Sequence, residues 1–368
     1  EMYATLDLCV GCKGCRRECP TGVDMAKMKI EFMHHYVKRH GLSRKDRLIA
    51  YLPRYASIAA RFAPLLNLRN HLPGLPWMTE KLLGFSARRS LPSWRRDWFR
   101  DDEISSRPAP SRSGAGGDST LADPREVALF VDTFNRYFEP ENARAAADVL
   151  QAAGYHVQLP HAADSARPLC CGRTFLASGL VDEAKTEARR MLEALTPFIE
   201  RDIPIVGLEP SCLLTLRDEY RSLLGRDASA GLARQALLFE EFLAREAKAG
   251  KLDLKLNALP QKKALLHGHC HQKAFNVMGS VNQVLGLIPG LKVETIESSC
   301  CGMAGAFGYD AEHFDVSMKM AEISLLPKVR SAAGDELIVA DGTSCRHQIH
   351  DGSGRGAQHV ACVLRAAL

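Results

Sequence analysis

The chain has 368 residues, 46% of them hydrophobic and 25% charged, which is enough for two or three domains with buried cores. It has no run of about 18 apolar residues and no signal-peptide pattern, so we expect neither a transmembrane helix nor a secretory leader. Twelve cysteines in such a chain favour metal or redox chemistry over a disulfide scaffold. Because the chain starts at Glu1 rather than at a methionine, we expect it to be part of a longer polypeptide.

The charge is divided unevenly along the chain. Residues 1–100 carry a net charge of +11 and the remaining 268 residues carry −6. A basic N-terminal third either faces an anionic partner or is a solvated basic face. We expect a cytoplasmic protein without a nucleic-acid partner. Peripheral contact with the inner membrane is an alternative that rests on four aromatic residues near arginines, with domain packing as the competing interpretation: Trp77, Trp94, Trp98 and Phe99.

The first hundred residues predict a helical domain. After Asp24, apolar residues recur along one helical face, at Met25, Met28, Phe32 and Tyr36. Further helical stretches cover about 44–68 and 76–90, with prolines between them. Residues 101–124 are rich in Ser, Pro, Gly and Asp, which favours a flexible linker.

The rest of the chain predicts an α/β fold with parallel sheets, in two lobes at residues 125–250 and 260–368. Short β-rich segments alternate with helical patterns, which is typical of βαβ units. The predicted strands are Val127–Val131, His156–Leu159, Pro204–Leu208, Ala264–His267, Lys292–Ile296 and Glu336–Ala340. The predicted helices are Pro140–Ala153, Asp182–Ile199, Asn276–Leu287 and Ala311–Val329.

Three landmarks occur twice in the same order, which predicts that the two lobes arose by duplication. The matching segments are ALFVDT at 128–133 with LLHGHC at 265–270, Cys170-Cys171-Gly172 with Cys300-Cys301-Gly302, and GLEPSC at 207–212 with ADGTSC at 340–345.

Four cysteines near the N-terminus have the spacing of a bacterial ferredoxin. Cys9, Cys12, Cys15 and Cys19 follow the C-x2-C-x2-C-x3-C pattern, and Pro20 follows directly. Thiolates are the ligands that iron–sulfur iron prefers. We therefore predict a [4Fe–4S] site and a helical ferredoxin-type domain over residues 1–100. Either all four thiolates hold one cluster, or Cys19 serves a neighbouring cluster whose other cysteine run precedes Glu1.

The repeated landmarks place further cysteines at predicted strand ends, where open parallel sheets bind ligands. The second lobe has four, at Cys270, Cys300, Cys301 and Cys345. The first lobe has Thr133 in place of Cys270 and keeps Cys170, Cys171 and Cys212. We predict a metal site, iron–sulfur or zinc, in the second lobe. The first-lobe site lacks one ligand, and three interpretations are open: a structural role, zinc binding, or completion by another group such as Asp132 or a water. Buried cysteines acting as small hydrophobes are the alternative.

Histidines surround Cys270. His267, His269 and His271 alternate, so along a strand they would share one face. We select His269 as a candidate metal ligand, with hydrogen bonding to sulfur or substrate binding as alternatives. Lys273 could place positive charge beside an anionic cluster, as could Arg346.

The two Cys-Cys-Gly lobes resemble the tandem CCG domain of the heterodisulfide reductase catalytic subunit. The same domain occurs in iron–sulfur subunits of glycolate oxidase, lactate-utilisation and anaerobic glycerol-3-phosphate dehydrogenase systems. More narrowly, LDLCVGCKGCRRECPTGVDMAKMKIEF, GLEPSCLLTLRDEY and SCCGMAGAFGY are similar to the C-terminal part of FAD-linked D-2-hydroxyacid dehydrogenases, of the D-2-hydroxyglutarate and D-lactate types. The resemblance implies CCG metal ligands at the seven lobe cysteines. It also implies an FAD-binding dehydrogenase domain, in the same polypeptide or in a partner subunit.

The resemblance implies an electron relay as the function. A flavin would oxidise a D-2-hydroxyacid, and electrons would pass through the [4Fe–4S] site to an acceptor such as a quinone. No flavin-binding sequence is present, so this chain alone is not expected to oxidise the substrate. One alternative is a disulfide-type reductase acting at the CCG site. Another is a zinc-binding module with a structural or substrate-site role in the fused enzyme.

Overall fold

The N-terminal part of the chain is helical, as predicted. The computed structural model describes residues 1–106, 125–164 and 167–368. The first eight helices are α1 (Met2–Asp7), α2 (Gly14–Glu18), α3 (Met25–His40), α4 (Arg44–Ala50), α5 (Leu52–Arg61), α6 (Ala63–His71), α7 (Leu75–Leu83) and α8 (Asp102–Ser105). Residues 102–105 of the expected linker are therefore helical, and residues 107–124 lie outside the described residues.

Local chemistry sets the starts of these helices. The Asp24 carboxylate accepts a hydrogen bond from the Lys27 amide at 3.2 Å and caps α3. Ser43 caps α4 in the same way, through the Asp46 amide at 3.0 Å. Prolines occupy the first turns of α5, α6 and α7, where no amide hydrogen is needed.

The first lobe is built on a four-stranded parallel sheet. Its strands are β1 (Arg125–Phe130), β2 (Tyr155–Gln158), β3 (Ile205–Gly207) and β4 (Ala236–Leu238), in the order β2-β1-β3-β4. Residues 127–130 of β1 are all buried, as expected for a central strand that is covered on both faces. Strand β4 was not predicted, because three residues leave almost no periodic signal.

The second lobe repeats this topology with three parallel strands. They are β5 (Lys263–Leu266), β6 (Lys292–Thr295) and β7 (Leu337–Val339), in the order β6-β5-β7. In both lobes the first strand lies between the second and the third. The predicted α/β class with parallel sheets is confirmed.

Helices cover both sheets. Those of the first lobe are α9 (Thr133–Tyr137), α10 (Pro140–Ala152), α11 (Arg173–Ala177), α12 (Val181–Glu200), α13 (Pro210–Arg217), α14 (Glu219–Leu223), α15 (Arg226–Gln235) and α16 (Phe239–Lys248). Those of the second are α17 (Cys270–Ala274), α18 (Met278–Leu285), α19 (Phe314–Glu322), α20 (Leu325–Arg330), α21 (Thr343–Ser353) and α22 (Val360–Ala366). The single helix predicted over Ala311–Val329 is therefore two helices, preceded by a short 3-10 turn at Phe307–Tyr309.

One hydrophobic core joins the two lobes. It contains Val127 and Leu129 from β1, Leu266 from β5 and Val339 from β7. Helix α10 packs against α22, and α16 packs against α18. The lobes therefore share buried apolar surface, and the strand ends of both sheets keep a fixed relation to each other.

Candidate metal centre

Four cysteines of the second lobe meet at the carboxyl ends of its strands. Cys270 is the first residue of α17 after β5, and Cys345 lies in the first turn of α21 after β7. Cys300 and Cys301 follow β6. Carboxyl ends of neighbouring parallel strands share one edge, which is where such sheets bind ligands. The sequence placed Cys345 at the end of a strand, and the structure places it one turn into a helix; the same correction applies to Cys212 in α13.

The four thiols form a connected chain. Each thiol acts on the next: Cys300 raises the pKa of Cys270, Cys301 raises that of Cys300, and Cys345 raises that of Cys301. Three of them are buried, with Cys300 5% exposed. The prediction that these positions converge agrees with this geometry.

The surroundings keep these thiols protonated while no cation is bound. The hydrogen bond from Cys300 and burial raise the pKa of Cys270 well above its ordinary value. Burial also raises the pKa of Cys345, although its hydrogen bond to Cys301 acts in the opposite direction. Metal binding must therefore displace protons from sulfur, as is usual for thiolate sites.

A histidine completes the donor set of the second lobe. A ring nitrogen of His267 and the sulfurs of Cys301 and Cys345 all lie within 4.8 Å of one another. Within the described residues, no other group of three metal-binding side chains meets that distance. His267 Nδ1 lies 2.8 Å from Ser298 Oγ, and Nε2 is buried without a hydrogen-bond partner. Burial lowers the pKa of His267 well below its ordinary value, so the ring is neutral and can offer a lone pair.

The other two histidines have different partners. The structure ends β5 at Leu266, so the three histidines do not share one strand face, contrary to the sequence prediction. His269 caps α17, with Nδ1 accepting the His271 amide at 3.1 Å. It lies outside the group of donors within 4.8 Å, which contains His267 instead.

Two glycines let the backbone close tightly around the cysteines. Gly302 has φ +85°, and a Cβ there would lie 2.3 Å from the Ser317 carbonyl oxygen. A Cβ on Gly342 would lie 2.4 Å from His269 Cδ2 and 3.3 Å from Cys345 Sγ. Neither position tolerates a side chain without displacing the site.

Of the two predicted cations, one lies beside the thiols. Lys273 Nζ donates to the carbonyl oxygens of Ser298 at 2.5 Å and Ser299 at 3.0 Å, next to Cys300. Arg346 is instead paired with Glu139 of the first lobe, with Nε 2.8 Å from Oε1. Burial raises the pKa of Glu139, the adjacent guanidinium lowers it more, and the result is about 2.

The first lobe contains three of the predicted cysteines and has no cysteine at the fourth position. Cys171 hydrogen-bonds both Cys170 and Cys212, and all three are buried. Thr133 stands where the second lobe has Cys270. Asp132 does not complete the set, because Oδ1 accepts the amides of the next helix and Oδ2 accepts from the Asn135 side chain. This site therefore offers fewer free donors than its counterpart.

The N-terminal cysteines lie on one short segment, called here the cysteine loop (residues 9–19), which includes helix α2. Burial raises the pKa of Cys12, and among neighbouring thiols Cys270 contributes most, ahead of Cys9 and Cys15. The fourth cysteine has hydrogen-bond partners of its own. Cys19 accepts hydrogen bonds from the Thr21 hydroxyl and from the amides of residues 21–23, which lowers its pKa to about 7.

The cysteine loop lies against both lobes. His271 Nε2 is 3.1 Å from the Gly11 carbonyl oxygen, so the segments that carry Cys12 and Cys270 are in contact. Lys13 reaches the first lobe, with Nζ 2.5 Å from Asp218 Oδ2. Sequence reasoning missed these contacts, because nothing in the spacing of the cysteines links residue 13 to residue 218.

The chain matches a known domain family twice. Residues 127–217 and 264–350 match the model of the CCG cysteine-rich domain. These ranges include the seven lobe cysteines and His267, so the repeat found in the sequence coincides with two copies of one domain.

Relatives extend this similarity beyond the CCG repeats. A subunit of the anaerobic glycerol-3-phosphate dehydrogenase of Escherichia coli K12 is 28% identical, over 89% of this chain and 78% of that protein. D-2-hydroxyglutarate dehydrogenase of Pseudomonas putida is 27% identical, over 98% of this chain but 34% of that protein. Lactate utilization protein A of Bacillus velezensis is 28% identical, over 60% of this chain and 87% of that protein. This chain therefore spans about a third of the D-2-hydroxyglutarate dehydrogenases it matches. The chain therefore carries two CCG cysteine-rich domains and is similar to components of dehydrogenases and to a lactate utilization protein.

Proposed function

We propose that this chain relays electrons from a flavin-containing dehydrogenase domain or subunit to an acceptor such as a quinone. The substrate class that we propose for the flavin is a D-2-hydroxyacid, such as D-2-hydroxyglutarate or D-lactate. The main support is that the cysteine loop contacts the second lobe beside its cysteines. His271 Nε2 lies 3.1 Å from the Gly11 carbonyl oxygen, and these two residues adjoin Cys270 and Cys12. Two cysteine sites on contacting segments suit the passage of electrons better than two isolated structural sites.

The cysteine loop has the donors for a [4Fe–4S] cluster. Cys9 and Cys15 both act electrostatically on Cys12, and the Met25 amide donates to Cys15 Sγ at 3.3 Å. Amide hydrogen bonds to sulfur are one means by which proteins set the potential of a cluster. A bound cluster would supply reversible one-electron chemistry.

The second-lobe donors fit a metal in two ways. The four thiols Cys270, Cys300, Cys301 and Cys345 suit iron–sulfur ligation, whereas two of them with His267 suit zinc. We favour iron, because the thiols form one connected chain beside the cysteine loop. Burial of three of the four thiols argues against a disulfide substrate reaching this site directly.

Metal analysis of anaerobically purified chain tests the relay. We expect iron and acid-labile sulfide together, with an EPR signal after reduction. Cys12→Ser and Cys301→Ser should each remove part of the iron. Cys362→Ser should remove none, because Cys362 packs near Asn142 Oδ1 at 3.3 Å, away from both sites. A colourless chain without iron or sulfide would refute the relay, and zinc without second-lobe iron would favour the structural module.

We further propose peripheral contact with an anionic membrane, through helices α5 to α7. Trp94 packs on Phe138 with ring centroids 4.5 Å apart and Phe99 is buried, so domain packing explains those aromatics. Trp77 is 63% exposed, with Lys81 Nζ 6.0 Å from its ring. Six further apolar side chains are exposed on these helices and the residue between α5 and α6: Ile58, Phe62, Leu65, Leu66, Met78 and Leu82. No helix in residues 1–106, 125–164 or 167–368 is long and apolar enough to cross a bilayer.

Co-sedimentation with lipid vesicles tests this contact. The chain should bind vesicles rich in phosphatidylglycerol more than vesicles of phosphatidylcholine, because basic side chains add an electrostatic attraction. Leu65→Glu should weaken binding. Leu287→Glu changes an exposed leucine of the second lobe and should have no effect. Equal binding of both variants would contradict the proposal.

A further inference from the structure

A buried lysine fastens the cysteine loop to the first lobe. Lys13 is 1% exposed, and its backbone is left-handed, with φ +60°. Its ammonium lies 2.5 Å from Asp218 Oδ2, 2.8 Å from Glu219 Oε1 and 3.6 Å from Asp24 Oδ2. Because a left-handed φ is unfavourable for a residue with a Cβ, these contacts hold the loop in a shape it would not otherwise prefer.

The carboxylates of Asp218 and Glu219 that receive Lys13 are called here the socket. Three more cations contact it. Arg16 Nη1 lies 2.9 Å and Lys27 Nζ 2.7 Å from the Asp218 carboxylate, and Arg173 Nη1 lies 2.8 Å from Glu219 Oε1. Both carboxylates are buried. Without Lys13, these two carboxylates would keep only partners that are more exposed. Substitution of Lys13 should therefore release the loop more than substitution of the half-exposed Lys27.

The opposite side of the loop is fastened to the second lobe. His271 Nε2 lies 3.1 Å from the Gly11 carbonyl oxygen. A carbonyl oxygen only accepts, so Nε2 carries the proton and donates. Gly11 precedes Cys12, and Cys270 precedes His271. This hydrogen bond therefore sets the separation between the two thiols.

We infer that Lys13 and His271 are positioning residues that hold Cys12 against Cys270, so that an electron passes directly from the cysteine loop to the second-lobe site. The inference rests on the proposed relay. In each transfer one electron leaves the loop site, which is oxidised, and reaches the second-lobe site, which is reduced. No bond or proton changes. The dehydrogenase flavin supplies the electron, and the first lobe acts as the socket for the loop.

EPR of the iron-loaded chain tests this positioning. With both sites reduced, two paramagnets in contact should broaden or split each other's signals. Lys13→Met should keep the iron and sulfide content of the parent chain and lose this interaction. Lys13→Arg should largely restore it, because a guanidinium can still reach both carboxylates. Lys27→Met is the matched control and should keep the interaction.

A pair of variants on the second lobe covers the case in which Lys13→Met does not fold. His271→Gln retains a donor that can reach the Gly11 oxygen, whereas His271→Leu does not. We expect the magnetic interaction in the first and its loss in the second. Iron at both sites without any interaction in the parent chain would overturn the positioning inference and leave the relay intact. Absence of second-lobe iron would overturn both. Persistence of the interaction in both Lys13→Met and His271→Leu would overturn the positioning inference alone.

Discussion

The ion pair between Glu139 and Arg346 predicts a large and pH-dependent loss of stability in Glu139→Gln. The pair joins the two lobes, since Glu139 precedes α10 and Arg346 lies in α21 beside Cys345. Glu139 Oε1 lies 2.8 Å from Arg346 Nε, and Oε2 lies 2.6 Å from Thr343 Oγ1. The substitution leaves a buried guanidinium without its carboxylate.

The magnitude follows from the pKa of the carboxyl. Folding lowers the pKa of Glu139 from 4.5 to about 2, because attraction to Arg346 outweighs the effect of burial. Each unit corresponds to about 1.36 kcal/mol, so the charged form stabilises the fold by roughly 3 kcal/mol. A carboxyl group whose pKa is lowered by folding contributes its full stabilisation above about pH 4.5. This stabilisation is lost as the pH falls toward 2.

Urea unfolding followed by circular dichroism measures this difference. Metal should be removed from all samples, so that acid release of metal does not contribute. The difference in the free energy of unfolding between the parent chain and Glu139→Gln should be constant from pH 8 to 5.5 and should shrink below pH 4.5. Glu141→Gln changes a carboxylate 3.1 Å from Arg95 that is far more exposed, and should cost under about 1 kcal/mol. Equal losses in the two variants at pH 7 would refute the reasoning.

Three further predictions concern the cysteine sites. In chain supplied with zinc instead of iron, His267→Ala should lower the zinc retained by the second lobe, measured by zinc content after dialysis against a chelator; unchanged retention would exclude His267 as a zinc ligand. Thr133→Cys adds the thiol that the first lobe lacks, and should increase metal bound per chain, measured by elemental analysis; no increase would show that the fourth donor is not what limits this site. In metal-free chain at pH 7, Cys19 should be alkylated faster than Cys301, because the pKa of Cys19 is lowered to about 7 whereas hydrogen bonding and burial keep Cys301 protonated. Peptide mass spectrometry measures both rates, and faster alkylation of Cys301 would contradict the prediction.

Local and periodic features of the fold were predictable from the sequence. The predicted strand Lys292–Ile296 and the observed strand Lys292–Thr295 differ by one residue, because β-rich segments between turn residues carry a clear signal. The convergence of Cys270, Cys300 and Cys345 followed from the rule that strand ends share one edge of a sheet.

Features that depend on distant partners were not predictable. The finding that His267, and not His269, lies within 4.8 Å of Cys301 and Cys345 depends on the end of β5 at Leu266, which residue alternation alone does not show. The interpretation of Trp94 depended on Phe138, which packs against it from a different part of the chain. The role of Lys13 depended on two carboxylates about two hundred positions away. Each of these is a tertiary contact that leaves no periodic trace.

The distance along the chain between the cysteine loop and its socket has a consequence for biosynthesis. Lys13 meets Asp218 across 205 positions, and Gly11 meets His271 across 260. At roughly 5–20 residues per second, the ribosome needs about 10–50 s after making the loop before both partners exist. During that interval the loop lacks the contacts to Asp218 and His271 that hold it in the folded chain. The loop can therefore take its final position only after residue 271 has been made.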